Sequence, residues 1–280
     1  METFTRDGLV FDVQDRGPSA AEAIVLLHGF PENRTCWDGI VAALTSAGYR
    51  TLAPNQRGYS PRARPPHSDA YAMTELAADI VALLDQAAVE RAHIVGHDWG
   101  GAVAWALAGN HPDRVRTLTA LSTPHPKAFR RALGSSDQAA RSHYMQFFQL
   151  EGIAERKLLE NDGVRFNDLL VASGLDRETA RGYVEFLRQP EALTGALNWY
   201  RAMRHRSSSN VPTITTPTLY VWSTNDVALG REAAELTARY VTGPYRFEIL
   251  DGVSHWIPEE VPERAAELVL GHVRASTVSS

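Results

Sequence analysis

Short apolar runs and longer amphipathic stretches alternate along most of this chain. Leu9 to Gln14 alternates apolar and polar positions and predicts an opening strand. Ile24-Val25-Leu26-Leu27 is a short buried strand that ends at His28-Gly29-Phe30-Pro31. Trp37 to Ala47 has helical spacing, and Gly48 supplies its C-terminal cap. Tyr49 to Ala53 is the next strand, stopped by Pro54. Asn55 to Ala70 is rich in Pro, Arg and Ser and reads as loop. A helix over Thr74 to Ala88, with Thr74 as its cap, leads to a strand over Ala92 to Val95. The apolar run Gly101 to Ala108 is helical, and Thr117 to Leu121 is a further strand. Strands alternating with helices of this length predict a parallel sheet with helices on both faces.

The rhythm changes after Pro126. As far as Arg206 the segments read as amphipathic helices without a strand between them, Asp137 to Gln149 and Glu178 to Gln189 among them. An insertion of this size is too long for an ordinary loop. The sheet resumes at Pro217 to Trp222 and continues through a helix over Arg231 to Tyr240, a strand over Tyr245 to Leu250 and a helix over Glu263 to Arg274. The small polar tail Ala275 to Ser280 is expected to fray. The pattern predicts an α/β core domain made of residues 1–126 and 207–280, and a helical domain over 127–206.

Composition adds mostly exclusions. The 280 residues are 44% hydrophobic and 22% charged, as in ordinary globular proteins. A net charge of -5 argues against nucleic acid as a partner. No stretch approaches the apolar length needed to span a bilayer, and the amino terminus has no apolar signal core. Cys36 is the one cysteine, so an internal disulfide is excluded, and a reducing, cytoplasmic location is expected. No Cys/His cluster has metal-ligand spacing and no G-x-G-x-x-G follows a strand, so no metal or organic cofactor is expected. Oligomeric state is not readable.

The chemistry concentrates in Gly96-His97-Asp98-Trp99-Gly100, between a strand and a helix. This is the G-x-S-x-G nucleophile elbow with Asp in place of Ser. A carboxylate is ionised at neutral pH and can displace a leaving group from an sp3 carbon. The product is an ester, which water can cleave, whereas a serine would give a stable ether. The change points away from esterases and toward opening an epoxide or breaking a carbon–halogen bond. Elbow enzymes carry nucleophile, acid and histidine in that chain order. His255, just past the last strand, is the candidate base. Asp226, just past the preceding strand, is the candidate acid, with Asp251 as the fallback. Backbone N–H groups of Phe30 and Trp99 are placed to form an oxyanion hole.

With these residues the chain resembles the epoxide hydrolases of the α/β-hydrolase fold over nearly its whole length. The resemblance rests on His28-Gly29-Phe30-Pro31-Glu32, Gln56-Arg57-Gly58-Tyr59-Ser60, Gly96-His97-Asp98-Trp99-Gly100-Gly101 and Asn198-Trp199-Tyr200-Arg201. It implies a mostly parallel sheet with a helical cap inserted after the sixth strand, and a reaction that takes a small-molecule epoxide and water to a vicinal diol. It also implies two cap tyrosines, Tyr144 and Tyr200, that hold and protonate the epoxide oxygen, and a pocket walled by Pro31, Trp37, Phe148 and Trp256. Asn55 departs from the usual Asp of such a chain, and the run Pro61 to Pro66 is unusually basic. A haloalkane or haloacid dehalogenase is the rival with the same nucleophile. Phe30, where haloalkane dehalogenases typically carry Asn, counts against the haloalkane enzyme. A second rival is a ligand-binding protein of this fold without catalysis.

Overall fold

The structure, a computed structural model, describes residues 1–134, 136–204 and 211–277. Eight strands form one sheet: β1 (Thr3–Arg6), β2 (Leu9–Arg16), β3 (Ala23–Leu27), β4 (Arg50–Pro54), β5 (Ala92–His97), β6 (Val115–Leu121), β7 (Thr218–Ser223) and β8 (Tyr245–Leu250). Their order across the sheet is β1-β2-β4-β3-β5-β6-β7-β8. β1 pairs with β2 and β2 with β4 antiparallel, and the remaining pairs are parallel. Every residue of β3, β4, β5 and β7 is buried, as near-continuous apolar runs in a covered parallel sheet require.

The chain leaves β3 to one side, through α1 (Asp38–Ser46), to reach β4. It then returns past β3, through α2 (Met73–Gln86), to reach β5. Right-handed crossovers place these two helices on opposite faces. α3 (Trp99–Asn110) packs on α2, and the last helix packs on α1. The loops leaving β3 and β5 therefore diverge, and a crevice opens between the carboxyl ends of these neighbouring strands. Open α/β sheets bind ligands at this kind of switch point.

Between β6 and β7 stand α4 (Pro126–Ala132), α5 (Ser136–Arg141), α6 (Tyr144–Phe148), α7 (Ile153–Leu159), α8 (Val164–Ala172), α9 (Arg177–Leu187) and α10 (Ala192–Ala202). α11 (Arg231–Leu236), α12 (Ile257–Glu260) and α13 (Pro262–Thr277) follow β7 and β8. The expected boundary at 206/207 and the end of the tail at 278–280 lie outside the described residues. No helix among the described residues is long and apolar enough to cross a membrane.

Three local expectations are corrected. The first strand, β1, carried too short a pattern to be read. Thr74 does not cap its helix: α2 begins at Met73, and Ala72 occupies the cap position without a side-chain bond. The single helix expected over Asp137 to Gln149 is two, α5 and α6, broken at Ser142-His143. Contacts far along the chain cause the break. Gln138 donates from Nε2 to the Ala228 carbonyl and accepts from the Gly230 N–H, both at 2.8 Å, which pins α5 to the loop after β7. α6 instead turns its aromatic side chains toward α10.

The basic loop after β4 seats the inserted helices. Arg64 donates to the carbonyls of Gly58, Tyr59 and Pro190, and Trp199 Nε1 donates to the Arg57 carbonyl at 2.8 Å. Gly58, at φ +90°, lies so close to Gly195 that a side chain at either position would collide with the other backbone. Asn55 accepts the Arg34 N–H at 3.0 Å, a bond that any Oδ acceptor could make. The loop is fixed underneath by Asp79 of α2, which accepts from Arg57 at 2.7 and 2.8 Å and from Arg6 at 3.0 Å. Asp79 is 3% exposed, so its removal leaves a buried guanidinium without its counter-charge. Asp79→Ala is expected to lower stability by about 3–5 kcal/mol, measured as the shift in the urea unfolding curve. A loss below about 1 kcal/mol would show that the loop is held by its other bonds.

Candidate active site

Asp98 links β5 to α3 at φ 48°, ψ -121°, a region that non-glycine residues rarely enter. Such a residue costs about 1–3 kcal/mol and persists only when its surroundings fix it. Here they do. A Cβ on Gly96 would collide with the Gly100 carbonyl, and one on Gly100 with the Leu27 carbonyl. The two glycines let strand and helix close on each other, and the turn lifts the Asp98 side chain into the crevice. Gly29 is needed for the same reason, since a side chain there would strike Asp98. The Thr123 hydroxyl donates to the Asp98 carbonyl at 2.6 Å and ties the elbow to the end of β6.

The Phe30 N–H donates to Asp98 Oδ1 at 2.9 Å. Trp99 opens α3, so its N–H is one of those that a helix start leaves without an intrahelical partner. The Phe30-Pro31 peptide is cis. Asp98 Oδ2 lies 3.5 Å from His255 Nε2. On the far side of the ring, Nδ1 lies 2.8 Å from Asp226 Oδ2. The other Asp226 oxygen accepts the N–H groups of Ala228 and Leu229 at 2.8 and 2.9 Å, so the carboxylate is fully engaged in a buried loop. Asp251, the fallback acid, is exposed and bonds to Thr224 instead.

Electrostatics follow from this line of groups. Burial alone would raise the Asp98 carboxyl, but His255, His97 and the Phe30 N–H outweigh it and hold its pKa below the usual carboxylate range. Burial alone would lower His255, but Asp226 and Asp98 outweigh it and push the imidazole well above its ordinary value. The imidazole of His255 thus stands between two carboxyl groups, one on each ring nitrogen.

Aromatic side chains roof this line. Tyr200 packs edge-on against Trp99, with ring centres 5.1 Å apart, and against Phe30 and Phe148 at 5.3 and 4.9 Å. Tyr144 stands 6.1 Å from Tyr200, ring to ring. Burial, then the charges of Asp98 and Asp226, push the Tyr144 phenol above its ordinary value, against a hydrogen bond with Tyr200. Burial does the same to Tyr200. Both phenols stay protonated and are donors at any working pH.

A cavity of about 270 Å³ runs from Asp98 to the surface between α4 and α10. Asp98, Trp99 and Tyr144 line it, and most of its wall is apolar: Met73, Phe129, Leu133, Met145, Met203 and Leu229. Pro31, Trp37, Phe148 and Trp256 do not line it, which corrects the expected pocket. Trp37 is wholly buried in the core. Trp256 lies behind the His255 ring, with its Nε1 on the Ser173 hydroxyl. Phe148 and Pro31 belong to the packing under the roof and the turn. The true wall comes from α4 and α10, whose inward faces depend on how the insertion docks.

The sequence profile described as the alpha/beta hydrolase fold matches residues 22–262. The chain is 38% identical to the AB hydrolase superfamily protein YfhM of Bacillus subtilis, over 96% of each chain. It is 34% identical to epoxide hydrolase A of Mycobacterium tuberculosis, over 94% of each. The crystal structure of epoxide hydrolase A from Mycobacterium thermoresistibile is similar with a TM-score of 0.82 and 30% identity, over 97% of each chain. The chain belongs to the epoxide hydrolase family of the α/β-hydrolase fold.

Several residues of this α/β hydrolase that support the site were not singled out by its sequence. His97 Nε2 donates to the His255 carbonyl at 2.9 Å, and the Ser122 hydroxyl donates to the same oxygen at 2.9 Å. Glu32 reaches both His97 and the Gly29 N–H. For His97 and Glu32, their positions inside the two Gly-containing motifs were the available signal; Ser122, just past β6, carried none. Among the inserted arginines, Arg201 is turned away from solvent. It is 4% exposed and bonds to Glu155 and Asn198.

The paired carboxylates make a prediction about His255. Its pKa is raised in the folded chain, so the stability it contributes is full below the unfolded histidine range and is lost as pH rises through the folded value. Asp98→Asn removes one of the two charges that raise it. The His255 imidazole, followed by NMR, is expected to titrate at lower pH in this variant than in the wild type. An unchanged titration would show that Asp226 alone sets the value.

Proposed function

We propose that this chain hydrolyses an apolar epoxide to a vicinal diol through an alkyl ester on Asp98. The observation that carries the reading is that Asp98 and the Tyr144 hydroxyl-bearing ring line one apolar cavity, with Tyr200 beside them. Asp98 Oδ1 is held by the Phe30 N–H, so Oδ2 is the oxygen that attacks the ring carbon. The carbon–oxygen bond of the epoxide breaks, and its oxygen takes a proton from the tyrosine pair. An alkoxide is a poor leaving group, and a positioned phenol lowers that barrier.

Ester formation removes the negative charge that stands against His255 Nε2. The imidazolium loses a partner at the moment a base is needed, and its proton can return to the tyrosines. Neutral His255, oriented by Asp226, then takes a proton from water, and that water attacks the Asp98 carbonyl carbon. The N–H groups of Phe30 and Trp99 receive the oxyanion at Oδ1. Collapse releases the diol and restores the carboxylate. In this reading the helices between β6 and β7 act as a cap domain that brings the tyrosines. The single buried cysteine supports the cytoplasmic location expected from the sequence.

Single turnover in 18O water tests the ester. The first diol is expected to carry unlabelled oxygen from Asp98, and solvent label in the first turnover would exclude the route. His255→Gln is expected to stop at the ester, visible as a protein mass gain equal to the epoxide. Tyr144→Phe is expected to lower kcat/KM for styrene oxide about 100-fold. Halide release from haloalkanes or haloacids, with no diol from epoxides, would move the reading to a dehalogenase.

A further inference from the structure

Behind the His255 loop lies a second pair of acids, Glu32 fully buried and Glu259 half-buried, that the reaction above does not use. Glu32 follows the Gly29-Phe30-Pro31 turn, and Glu259 lies on α12, four residues after His255. The Glu32 carboxyl spans two elements. Oε2 accepts the Gly29 N–H at 2.5 Å, and Oε1 lies 2.6 Å from His97 Nδ1. His97 in turn reaches the His255 carbonyl at 2.9 Å. The Glu259 carboxyl accepts the Tyr183 hydroxyl of α9 on Oε1 at 2.7 Å. Its other oxygen, Oε2, is buried with no donor facing it, and the Glu32 carboxyl lies within hydrogen-bonding reach.

Two carboxylates in contact, without a donor between them and away from water, are strongly unfavourable. One proton resolves the contact. The groups that face the pair are His97, His28, Tyr59, Tyr183, Cys36 and Asp98. Burial pushes the His28 imidazole down to about 4, so His28 is neutral at working pH, and His97 can neutralise only one of the two acids. We propose that Glu32 and Glu259 share one proton, carried by Glu259, and that this buried cluster positions both the Phe30 turn and the His255 loop.

The proton count closes. The His255 carbonyl can only accept, so His97 Nε2 carries a hydrogen. One further proton lies between His97 Nδ1 and Glu32, and one between Glu32 and Glu259. The cluster is then neutral as a whole, which is the condition for burying it. Burial, then the Glu32 charge, push the Glu259 carboxyl well above the usual range, while His97 and the Gly29 N–H hold Glu32 below it against its burial. Glu32 and Glu259 are positioning residues. They touch no reacting atom, but one end of the cluster sets the N–H that meets Asp98 Oδ1 and the other sets the backbone that carries the base. Tyr183 brings the inserted helices into the same network.

The kinetic part of this inference rests on the proposed ester route; the shared proton does not. Infrared difference spectra of wild type against Glu259→Gln test the proton without substrate. A protonated carboxyl band is expected in the wild type at neutral pH, shifted in D2O and missing from the variant. Its absence overturns the proposal. Glutamine can donate to Glu32 and accept from Tyr183 as the neutral acid does. Glu259→Gln is therefore expected to keep kcat and its pH profile within about twofold, while Glu259→Ala lowers kcat about tenfold with KM nearly unchanged and lets the ester accumulate. Equal losses in both variants overturn the positioning role by showing that Glu259 works as a charge. A folded wild type with the infrared band but no epoxide turnover overturns the proposed activity and leaves the shared proton standing.

Discussion

The site depends on one strained residue. Asp98 is forced into a backbone conformation it would not adopt alone, because β5 must turn directly into α3 while both press against the end of β3. The contacts among Leu27, Gly29, Gly96 and Gly100 leave no room for a relaxed turn. Dense packing supplies the energy that the conformation costs. The same contacts aim three things at one point: the Asp98 carboxylate, the N–H of Phe30 at the end of β3, and the amino end of α3. Glycine at three places and an unfavourable φ at a fourth are one device, and the position of the nucleophile follows from it.

Polar groups are arranged around that point so that each meets a partner in spite of burial. Asp98 and Asp226 each face one nitrogen of His255, and Asp226 is further satisfied by two backbone N–H groups. Asp98 is held below the usual carboxylate range and His255 above the usual imidazole range, each in part by the other and against burial. The balance is conditional on the charge at Asp98. Of the three members, Asp98 alone opens onto the cavity, so an event in the cavity reaches the base through electrostatics rather than through movement.

What could be read from the sequence was what is local to a strand and its following turn. The elbow was legible because β5, the turn and α3 are contiguous and need glycine at fixed places. Asp226 and His255 were legible because each follows a strand and the chain order limits the choice. The cavity wall was not legible. Phe129, Leu133 and Met203 face Asp98 because the insertion docks on the loop after β4 through Arg64, Trp199 and the Gly58–Gly195 contact. Nothing in the spacing of α4 or α10 encodes that direction. The break between α5 and α6 was hidden for the same reason, since its cause is a pair of bonds from Gln138 to the loop that carries Asp226. The Glu32–Glu259 contact joins the two ends of the chain, and only the fold brings them together.

These layers divide the work of the molecule. The sheet edge fixes the site: Asp98, His255, Asp226 and the Phe30 turn all follow strand ends whose register the core determines. The insertion fixes the shape of the space above them, and it is attached to the loop after β4, to the loop that carries Asp226 through Gln138, and to α12 through Tyr183. Changes to the cavity-lining side chains Phe129 and Leu133 can alter which molecules fit without touching the bonds that hold the line from Asp98 to Asp226. The aromatic roof also crosses the layers. Tyr144 and Tyr200 ride on the insertion but meet the Asp98 line, so α6 and α10 are constrained where α4 is not. The face of α10 that carries Trp199 and Tyr200 must satisfy the sheet domain and the cavity at once, and ten of its eleven residues are buried in consequence.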